Sequence, residues 1–456
     1  MRFHPPNRSS VTRVVFGLLL VHLLSTDQDA FGQCSAPHLV SYGASSCDTA
    51  VSLNDPFMDE LACDSFSYDS IGANRDECFY QSIKSCFADT GITFNHNVTQ
   101  FYFGTVDGGL EQTGRYGGHG DYLANLDLGK LGVHEGLFLK VRAEHRFGRS
   151  MSEPTGALLG PTLAADLPVV DSRDLYLTNV LFTQFLTERV AVFAGKLDSL
   201  DGDFNAYASG RGITQFSNTS FIANPIALRT VPYSTLGCGF AIIEDGEPLF
   251  NFIILNPTDT ADSDGFDELF AEGVTLSSEL RLATNLFRKP GHQLFGATWS
   301  SREYTELGQD PRVVLPNIPI ERTNGSWSCY WNTDQALWVD SSDPSRHFGY
   351  FARAGIADDS SNAISYLLSA GLGGASPLRQ QDSFGAGYFY LGASDSIGTL
   401  LETLLGPIDD SQGCEVFYRT QVTSNLSVTP GFQWIDPARR NVSDAYLLGV
   451  RANLQF

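Results

Sequence analysis

The chain has few charged residues, few basic residues relative to acidic ones, and no long apolar segment beyond its amino terminus. Charged residues make up 18% of the sequence, and 29 Lys and Arg stand against 52 Asp and Glu, for a formal charge of −23. This sign disfavours nucleic-acid binding, because phosphates attract basic surfaces. After residue 24, no apolar run reaches the roughly 20 residues that a membrane helix needs. If this chain enters a membrane, it does so as a closed β-barrel.

Motifs of enzymes and metal sites are also missing. The sequence has no Gly-x-Ser-x-Gly elbow, and no cluster of Ser, His and Asp stands out. No Cys-x-x-Cys or His pairing favours a metal site. We therefore predict no catalytic residue, no cofactor and no metal, and keep a barrel-type outer-membrane hydrolase as a minor alternative. An energy-coupled transporter would need a large plug domain, for which the segment ahead of residue 96 is too short.

The amino terminus predicts export. Residues 1–13 carry three Arg and no acid, and Val14–Leu24 is a largely apolar run. That run has the length of a secretory signal rather than of a membrane helix. Small residues at 30 and 32 predict a signal peptide over 1–32 that is cleaved after Gly32. A lipoprotein anchor at Cys34 is the alternative, but the residues just before it lack the small residue that lipoproteins carry there.

Residues 33–95 form a predicted cysteine-rich periplasmic segment. Five of the eight cysteines lie in it, namely Cys34, Cys47, Cys63, Cys78 and Cys86. Exported segments of this kind are typically cross-linked by disulfides, and eight cysteines allow 105 pairings, so the pairing stays open. A short helix is predicted over 75–89. Cys78 and Cys86 lie roughly 12 Å apart along such a helix, too far to bond each other.

The carboxy-terminal segment Tyr446–Phe456 alternates between apolar and mostly polar residues. One parity is apolar throughout, whereas the other contains Arg451, Asn453 and Gln455. Successive side chains of a strand point to opposite faces, so this strand has one apolar and one wet face. Its length suits a tilted strand that crosses a bilayer. A sandwich strand has the same alternation, so the rest of the sequence must decide.

Leu137–Phe147 is the most diagnostic internal segment. Its sequence, LFLKVRAEHRF, places Lys140, Arg142, Glu144 and Arg146 on one parity. A dry core does not accommodate four charges on one face of a strand, because each unpaired buried charge is very costly. A water-filled lumen accommodates these charges. This segment therefore favours a barrel over a sandwich.

The same alternation recurs along residues 96–456. Further predicted strands cover 175–185, 190–197, 234–243, 249–255, 274–286, 294–304, 347–356, 382–391, 414–422 and 427–434. Tight turns alternate with long polar segments near 148–173, 200–232, 256–273 and 305–325, as in barrels with short periplasmic turns and long external loops. At about 20–25 residues a strand, this length gives about 14 to 18 strands. We predict an all-β, antiparallel transmembrane barrel of about 16 strands, wide enough for an aqueous channel.

Several blocks of residues follow one another in order along the predicted barrel. They are Thr99–Tyr102, Gly114–Gly118, Asp121–Leu123, Leu126–Gly132, Gly195–Asp198, Ser209–Gly212, Thr214–Phe216, Val231–Gly237 and Gly296–Arg302. In this order the blocks resemble the OprB family of carbohydrate-selective porins. The resemblance implies a 16-stranded outer-membrane barrel that admits sugars by facilitated diffusion, without an energy source. One departure lies ahead of the barrel: Gly91-Ile92-Thr93-Phe94 is present, but the Trp-Gly pair usual in the family is not.

Sugar selectivity calls for polar donors and acceptors and for aromatic surfaces in a constriction. The candidate pore-lining residues are Arg115, Lys140, Arg142, Glu144, Arg146, Arg211, Glu279, Arg281, Arg302 and Arg353. Tyr102 and Trp299 are candidates for stacking on a sugar ring. The alternative for any one charge is that it only hydrates the lumen wall and pairs across strands.

These predictions imply several partners. We expect sugars in transit, outer-membrane lipid, and the barrel-assembly machinery, which would read the terminal Phe456. Whether the barrel forms a homotrimer stays open, as does the identity of the sugar. A general porin, or a porin of the same build for another solute, is the closest alternative function.

Overall fold

The computed structural model describes residues 84–202 and 204–456. The chain divides into two units, Met1–Thr90 and Gly91–Phe456. Of the first unit, residues 84–89 are helical, and the Thr90 hydroxyl donates to the Phe87 carbonyl at 2.8 Å. Cys86 is disulfide-bonded. The predicted signal peptide, its cleavage site and the other four amino-terminal cysteines lie outside the described residues.

The second unit is a closed barrel of 16 antiparallel strands, which confirms the predicted fold. The strands are β1 Ile92–Gly109, β2 Gly114–Asp127, β3 Leu137–Gly148, β4 Tyr176–Thr187, β5 Val190–Asp198, β6 Ser234–Glu244, β7 Glu247–Leu255, β8 Thr275–Leu286, β9 Lys289–Thr305, β10 Arg322–Val339, β11 His347–Ala357, β12 Ile364–Ala375, β13 Ser383–Ala393, β14 Ser411–Gln421, β15 Leu426–Asp436 and β16 Ser443–Gln455. Each strand pairs with its neighbours in sequence, and β1 pairs with β16 to close the ring.

Short helices occur in the loops of this unit. They are α1 Ser152–Thr155, α2 Leu163–Asp166, α3 Thr219–Ile222 and α4 Thr399–Leu405, with four 3₁₀ turns at Ser199–Asp201, Gly210–Gly212, Ala227–Arg229 and Pro311–Val314. Within the ranges that the structure describes, no helix has the length and apolar character to cross a membrane.

Strand β16 has the two faces that its sequence predicts. Leu448 is 53% exposed on the outer face, whereas Leu447, Arg451 and Asn453 are buried on the inner face. Its pairing with β1 runs from Asn97 opposite Gln455 to Gly109 opposite Ser443. An apolar outer face with a polar inner face is the pattern of a barrel in a bilayer.

The connections differ in length at the two ends of the barrel. At one end, which we call the short-turn end, the connections are residues 128–136, 188–189, 245–246, 287–288, 340–346, 376–382 and 422–425. At the other, the long-loop end, they are 110–113, 149–175, 199–233, 256–274, 306–321, 358–363, 394–410 and 437–442. In outer-membrane barrels, short turns face the periplasm and long loops face outward.

One hairpin turn differs from its predicted position. The sequence Arg288-Lys289-Pro290-Gly291 predicts the turn, but the turn residues are Phe287 and Arg288, with φ of +56° and +57°. Lys289 and Pro290 already pair with Leu286 and Asn285. Positive φ at both central residues is typical of the tight turns that match the twist of a hairpin. Pro290 is compatible with this position because its strand begins there.

Two long loops fold inside the barrel rather than away from it. Residues of 149–175 contribute Met151, Ala164 and Ala165 to a buried cluster with the inner-face side chains Phe101 and Phe103 of β1. A second cluster joins loop residues of 204–231, among them Tyr207, Phe216 and Phe221, to inner-face side chains of β9 to β14. The inner wall is therefore covered in part by packed apolar groups, which the prediction of an open aqueous lumen did not include.

Candidate site inside the barrel

Residues 204–231, which we call the inner segment, are fastened to the inner wall by charged side chains. Arg451 of β16 donates to the carbonyls of Gly212 and Gln215, at 2.8 and 2.6 Å. Arg353 of β11 donates to the carbonyl oxygens of Phe221 and Ala208, at 2.5 and 2.8 Å. Hydrogen bonds from an ionised donor to a buried carbonyl contribute about 1.5–3 kcal/mol each. The inner segment is therefore a fixed part of the lumen.

A carboxylate fastens the middle of the inner segment. Glu415 of β14 accepts from the amide of Ser217 and from its hydroxyl, both at 2.8 Å. It also accepts from the amide of Asn218 at 2.8 Å. Gln433 of β15 then donates to the Ser217 hydroxyl at 2.9 Å. Glu415 and Gln433 lie on the neighbouring strands β14 and β15, so two adjacent strands hold the middle of the segment.

Glycines on the wall make room for the aromatic side chains of the inner segment. A Cβ at Gly387 would lie 2.8 Å from Phe221 and 3.2 Å from Phe216. A Cβ at Gly355 would lie 2.5 Å from the side chain of Ile226. Real Cβ atoms essentially never approach another heavy atom within 3.0 Å, so a side chain at either position would require a displacement. Glycine at these positions therefore allows the close approach of segment and wall.

The inner segment also aims one arginine at the opposite wall. Arg211 has a left-handed backbone, with φ of +54°, and lies between Gly210 and Gly212, which have φ of +73° and +76°. Such a run of positive φ costs little for glycine and more for arginine. The turn places the Arg211 guanidinium against β2, β3 and β5.

Arg211 enters a cluster of seven ionisable side chains, which we call the charge cluster. Its members are Asp121, Lys140, Arg142, Glu144, Asp198, Asp201 and Arg211. Arg211 NH2 lies 2.8 Å from both Glu144 Oε1 and Asp198 Oδ2. Arg142 NH1 lies 2.9 Å from Asp198 Oδ2 and from Asp201 Oδ1. The cluster holds three positive and four negative groups, so opposite charges alternate across it.

Two hydroxyl groups and a histidine complete the surroundings of Glu144. The Tyr233 hydroxyl donates to Glu144 Oε2 at 2.5 Å, and the Thr178 hydroxyl donates to the same oxygen. His119 Nε2 lies 3.3 Å from Glu144 Oε1. A carboxylate that is fully shielded from water is costly unless several donors hold it, as they do here.

Exposure divides the charge cluster into a buried part and a part that water reaches. The side chains of Glu144 and Asp198 have no exposed surface, and that of Arg142 is 6% exposed. Lys140 and Asp201 pair at 2.5 Å and are 28% and 29% exposed. Arg211 is 13% exposed, so Lys140 and Asp201 are the most exposed members of the cluster.

The ion pairs set the protonation of the cluster members that lie on loops. Burial alone would raise the pKa of Asp201, but the attraction of Arg142, Lys140 and Arg211 outweighs it and lowers the pKa to about 2. Burial would lower the pKa of the Arg211 guanidinium, but Asp198 and Glu144 raise it well above its ordinary value. Both groups are therefore charged at neutral pH.

The remaining predicted residues lie outside the charge cluster. Arg146 donates to the Ala165 carbonyl at 2.7 Å. Glu279 accepts from Tyr330 at 2.8 Å and from Asn251 at 3.0 Å. Arg281 pairs with Glu247 at 2.5 Å, Arg302 with Glu272 at 2.7 Å, and Arg115 with Glu111 at 3.1 Å. Of the ten predicted residues, the structure brings together Lys140, Arg142, Glu144 and Arg211.

Two aromatic residues lie on the face opposite to the one suggested for them. Tyr102 and Trp299 are 62% and 46% exposed. Their strand neighbours Phe101 and Thr298 are buried inside, and Thr298 bonds the inner-segment residue Thr230 at 2.7 Å. Because faces alternate along a strand, Tyr102 and Trp299 face outward and do not stack on a solute in the lumen.

Sequence reasoning missed several residues of the site. Asp121, Asp198 and Asp201 were not predicted as members, although they supply most of the negative charge. His119 and Asp121 lie two residues apart on β2, as do Lys196 and Asp198 on β5, so each pair shares one face of its strand. This spacing of charged and polar residues is the signal that would have placed Asp121 and Asp198 on the inner face. Within the described ranges, no three His, Cys, Asp or Glu side chains come together as a metal site.

Comparison with known proteins identifies relatives of this fold. A family model described as carbohydrate-selective porin, OprB family, matches residues 111–456. The high-pH structure of Pseudomonas putida OprB is 18% identical, with a TM-score of 0.70, over 83% of this chain and 97% of that one. The low-pH structure of the same protein is 16% identical, with a TM-score of 0.52, over 86% and 100%. None of the curated protein sequences matches this chain.

Proposed function

This chain belongs to the OprB family of carbohydrate-selective porins, and from that membership we propose that it lets sugars diffuse passively across the bacterial outer membrane. The observation that carries the proposal is the closed 16-stranded barrel with polar and charged side chains on its inner face. A neutral, hydroxyl-rich solute needs such a wall, because an apolar one would leave its hydroxyls without partners. The chain is thus a channel, and we propose no enzymatic activity for it.

The charge cluster is our candidate for the sugar-selective constriction. Lys140 and Asp201 are its most exposed members, with a donor and an acceptor next to each other. Sugar hydroxyls both donate and accept, so an ion pair can bind two neighbouring hydroxyls at once. Arg142 and Arg211 contact Asp201 from behind, and Glu144 in turn pairs with Arg211. We assign them a positioning role.

The roles that we propose for the other predicted residues follow from the groups that each one contacts. Arg146 and Arg353 donate to backbone carbonyls of the two loops inside the barrel, so we propose that they fix those loops. Glu279 and Arg281 line the wall of β8, where Arg281 also lies 5.1 Å from the centre of the Phe204 ring. Arg115 and Arg302 pair with loop glutamates and would attract or orient solutes near the long-loop end.

The location in the outer membrane implies further features that we propose. The short-turn end faces the periplasm, and the long-loop end faces the outside. Residues 1–32 are removed as a signal peptide after Gly32, and the residues from 33 up to the barrel form a periplasmic segment. The first barrel strand begins at Ile92, four residues before the predicted boundary at 96. Outer-membrane lipid covers the apolar outer face, the assembly machinery reads Phe456, and a homotrimer is the oligomeric state to test.

Liposome swelling tests the proposed selectivity. We expect liposomes that contain the protein to swell faster in glucose than in an amino acid of equal size, and faster than liposomes without protein. Lys140→Ala and Asp201→Ala should each reduce the ratio of the two rates, whereas Lys84→Ala, outside the barrel, should leave it unchanged. Equal rates for all solutes of one size would refute carbohydrate selectivity and favour a general porin of the same build.

A further inference from the structure

A partly enclosed cavity of about 440 Å³ lies among the connections at the long-loop end. Its apolar lining includes Leu110, Ile364, Leu391, Ile397, Leu401 and Leu405. Ile364 and Leu391 are inner-face residues of β12 and β13 and belong to the buried aromatic cluster of the lumen. The cavity therefore lies directly above the packed part of the barrel interior.

The walls of this cavity are fixed by backbone hydrogen bonds. The Gly398 amide ahead of α4 donates to the Leu307 carbonyl at 3.2 Å. At the other end of α4, Arg439 Nε donates to the Leu405 carbonyl at 3.0 Å. A bridge between Ile408 and Arg439 continues this connection. Because separate loops hold α4 at both ends, the cavity is a built feature.

The lining leaves apolar surface in contact with water. Leu110, Leu158 and Leu405 are 52%, 46% and 41% exposed. Exposed apolar surface of this kind is unfavourable, and an apolar ligand that covers it gains free energy in proportion to the area. A free sugar would not, because its hydroxyls would find few partners among these side chains.

Polar groups also line the cavity, namely Ser152, Glu153, Asp409, Ser411 and Arg439. Glu153 is exposed there, and the Arg439 guanidinium has more donors than the one that binds Leu405. A carboxylate and a guanidinium bind hydroxyl groups. A mainly apolar lining with a few charged and polar groups matches a molecule with one apolar and one hydroxyl-rich end, and the volume is that of a small-ligand pocket.

We propose that this cavity binds the apolar aglycone of a glycoside while the sugar contacts Glu153 and Arg439. The inference rests on the proposed function, since it names a class of sugar derivative that this channel would bind at its mouth. It differs from that function in its residues, because the charge cluster takes no part.

Single-channel recording of the full chain in planar bilayers tests the proposal, with phenyl β-D-glucoside and methyl β-D-glucoside as probes. We expect phenyl β-D-glucoside to interrupt the current for longer than methyl β-D-glucoside. Leu401→Ser should shorten only the phenyl glucoside interruptions, by about tenfold, because part of the apolar contact is lost. The matched control is Leu404→Ser on the same helix, since Leu404 is 67% exposed and does not line the cavity.

The outcomes separate the two proposals. Equal interruptions by the two glucosides, or an unchanged response of Leu401→Ser, would overturn the aglycone site while leaving sugar passage intact. If phenol interrupts the current for as long as phenyl β-D-glucoside does, the proposal is also overturned, because the sugar would then contribute nothing to binding. If neither glucoside interrupts the current, the proposed function itself fails. An unchanged heat-induced gel shift of Leu401→Ser shows that the barrel still folds.

Discussion

Replacing Arg451 by Met is expected to loosen the inner segment without disturbing the barrel. Arg451 is 2% exposed, and its guanidinium holds the carbonyls of Gly212 and Gln215 on either side of the turn that follows Arg211. Met has a similar length and brings no charge into the interior. The strand keeps its pairing with β1 and β15, because that pairing is made by backbone atoms.

The expected size of the effect follows from these two bonds. Each charged hydrogen bond to a buried carbonyl contributes about 1.5–3 kcal/mol, so the lower bound for both is about 3 kcal/mol. Since every 1.4 kcal/mol is about tenfold, the ratio of docked to undocked segment should fall by at least about a hundredfold. Arg353 and Glu415 still hold the rest of the segment, so the change is local to residues 210–215.

Single-channel current reports this loosening directly. We expect Arg451→Met to raise current noise and mean conductance, because the segment at the charge cluster leaves its docked position more often. The matched control is Val450→Met, which places the same side chain on the outer face of the same strand, where Val450 is 44% exposed. If Arg451→Met and Val450→Met give the same quiet current as the unaltered protein, Arg451 does not fix the lumen and the reasoning is wrong.

Three further predictions concern the segment and the charge cluster. Gly387→Ala places a Cβ 2.8 Å from Phe221, so overpacking should destabilise segment docking by about 1–3 kcal/mol and speed tryptic cleavage within 204–231; an unchanged cleavage rate would contradict the glycine recess. Glu144→Gln removes one counter-charge of the buried Arg211, which Asp198 still pairs. We expect a loss of up to about 3 kcal/mol, read as a lower midpoint of the heat-induced gel shift, with exposed Glu188→Gln unchanged. The pKa of Asp201 is lowered from 3.8 to about 2, so the stability that its ion pairs contribute is fully present above pH 3.8 and is lost as pH falls towards 2. We therefore expect current noise to rise over this pH range and Asp201→Asn to abolish that rise. An identical pH titration of the variant would refute this prediction.

The barrel could be predicted because its signal is local. In β3, alternate charges on one face mark a wet interior within a single strand. Four strands, β1, β2, β10 and β12, were not among the predicted segments. In β10, Asn324 and Gly325 look like turn residues, yet they form a bulge within the strand, where Gly325 has φ of +83°. In β12, position 371 is a glycine because a Cβ there would lie 2.6 Å from the Phe351 ring. This requirement comes from the neighbouring strand β11 and cannot be seen in the sequence of β12.

The site was predictable only in part, because its contacts join distant parts of the chain. Alternation alone places Lys140, Arg142 and Glu144 inward. Their partner Arg211 depends on a long loop folding back into the barrel, and nothing in the loop sequence alone determines its direction. Phe216 and Phe221 lie in a long predicted loop, and they are buried because glycines on distant strands make room for their rings. That pairing of loop and wall cannot be predicted from the loop sequence.

The measurement that tests the central claim most directly is a single-channel conductance trace titrated with glucose and maltodextrins. A sugar that binds within the lumen reduces the ion current, and the reduction saturates as the site fills. We predict saturable block by the sugars and no saturable block by an uncharged solute of equal size without the ring of hydroxyls. Current that falls only in proportion to solution viscosity, equally for all solutes, would contradict a carbohydrate-selective channel.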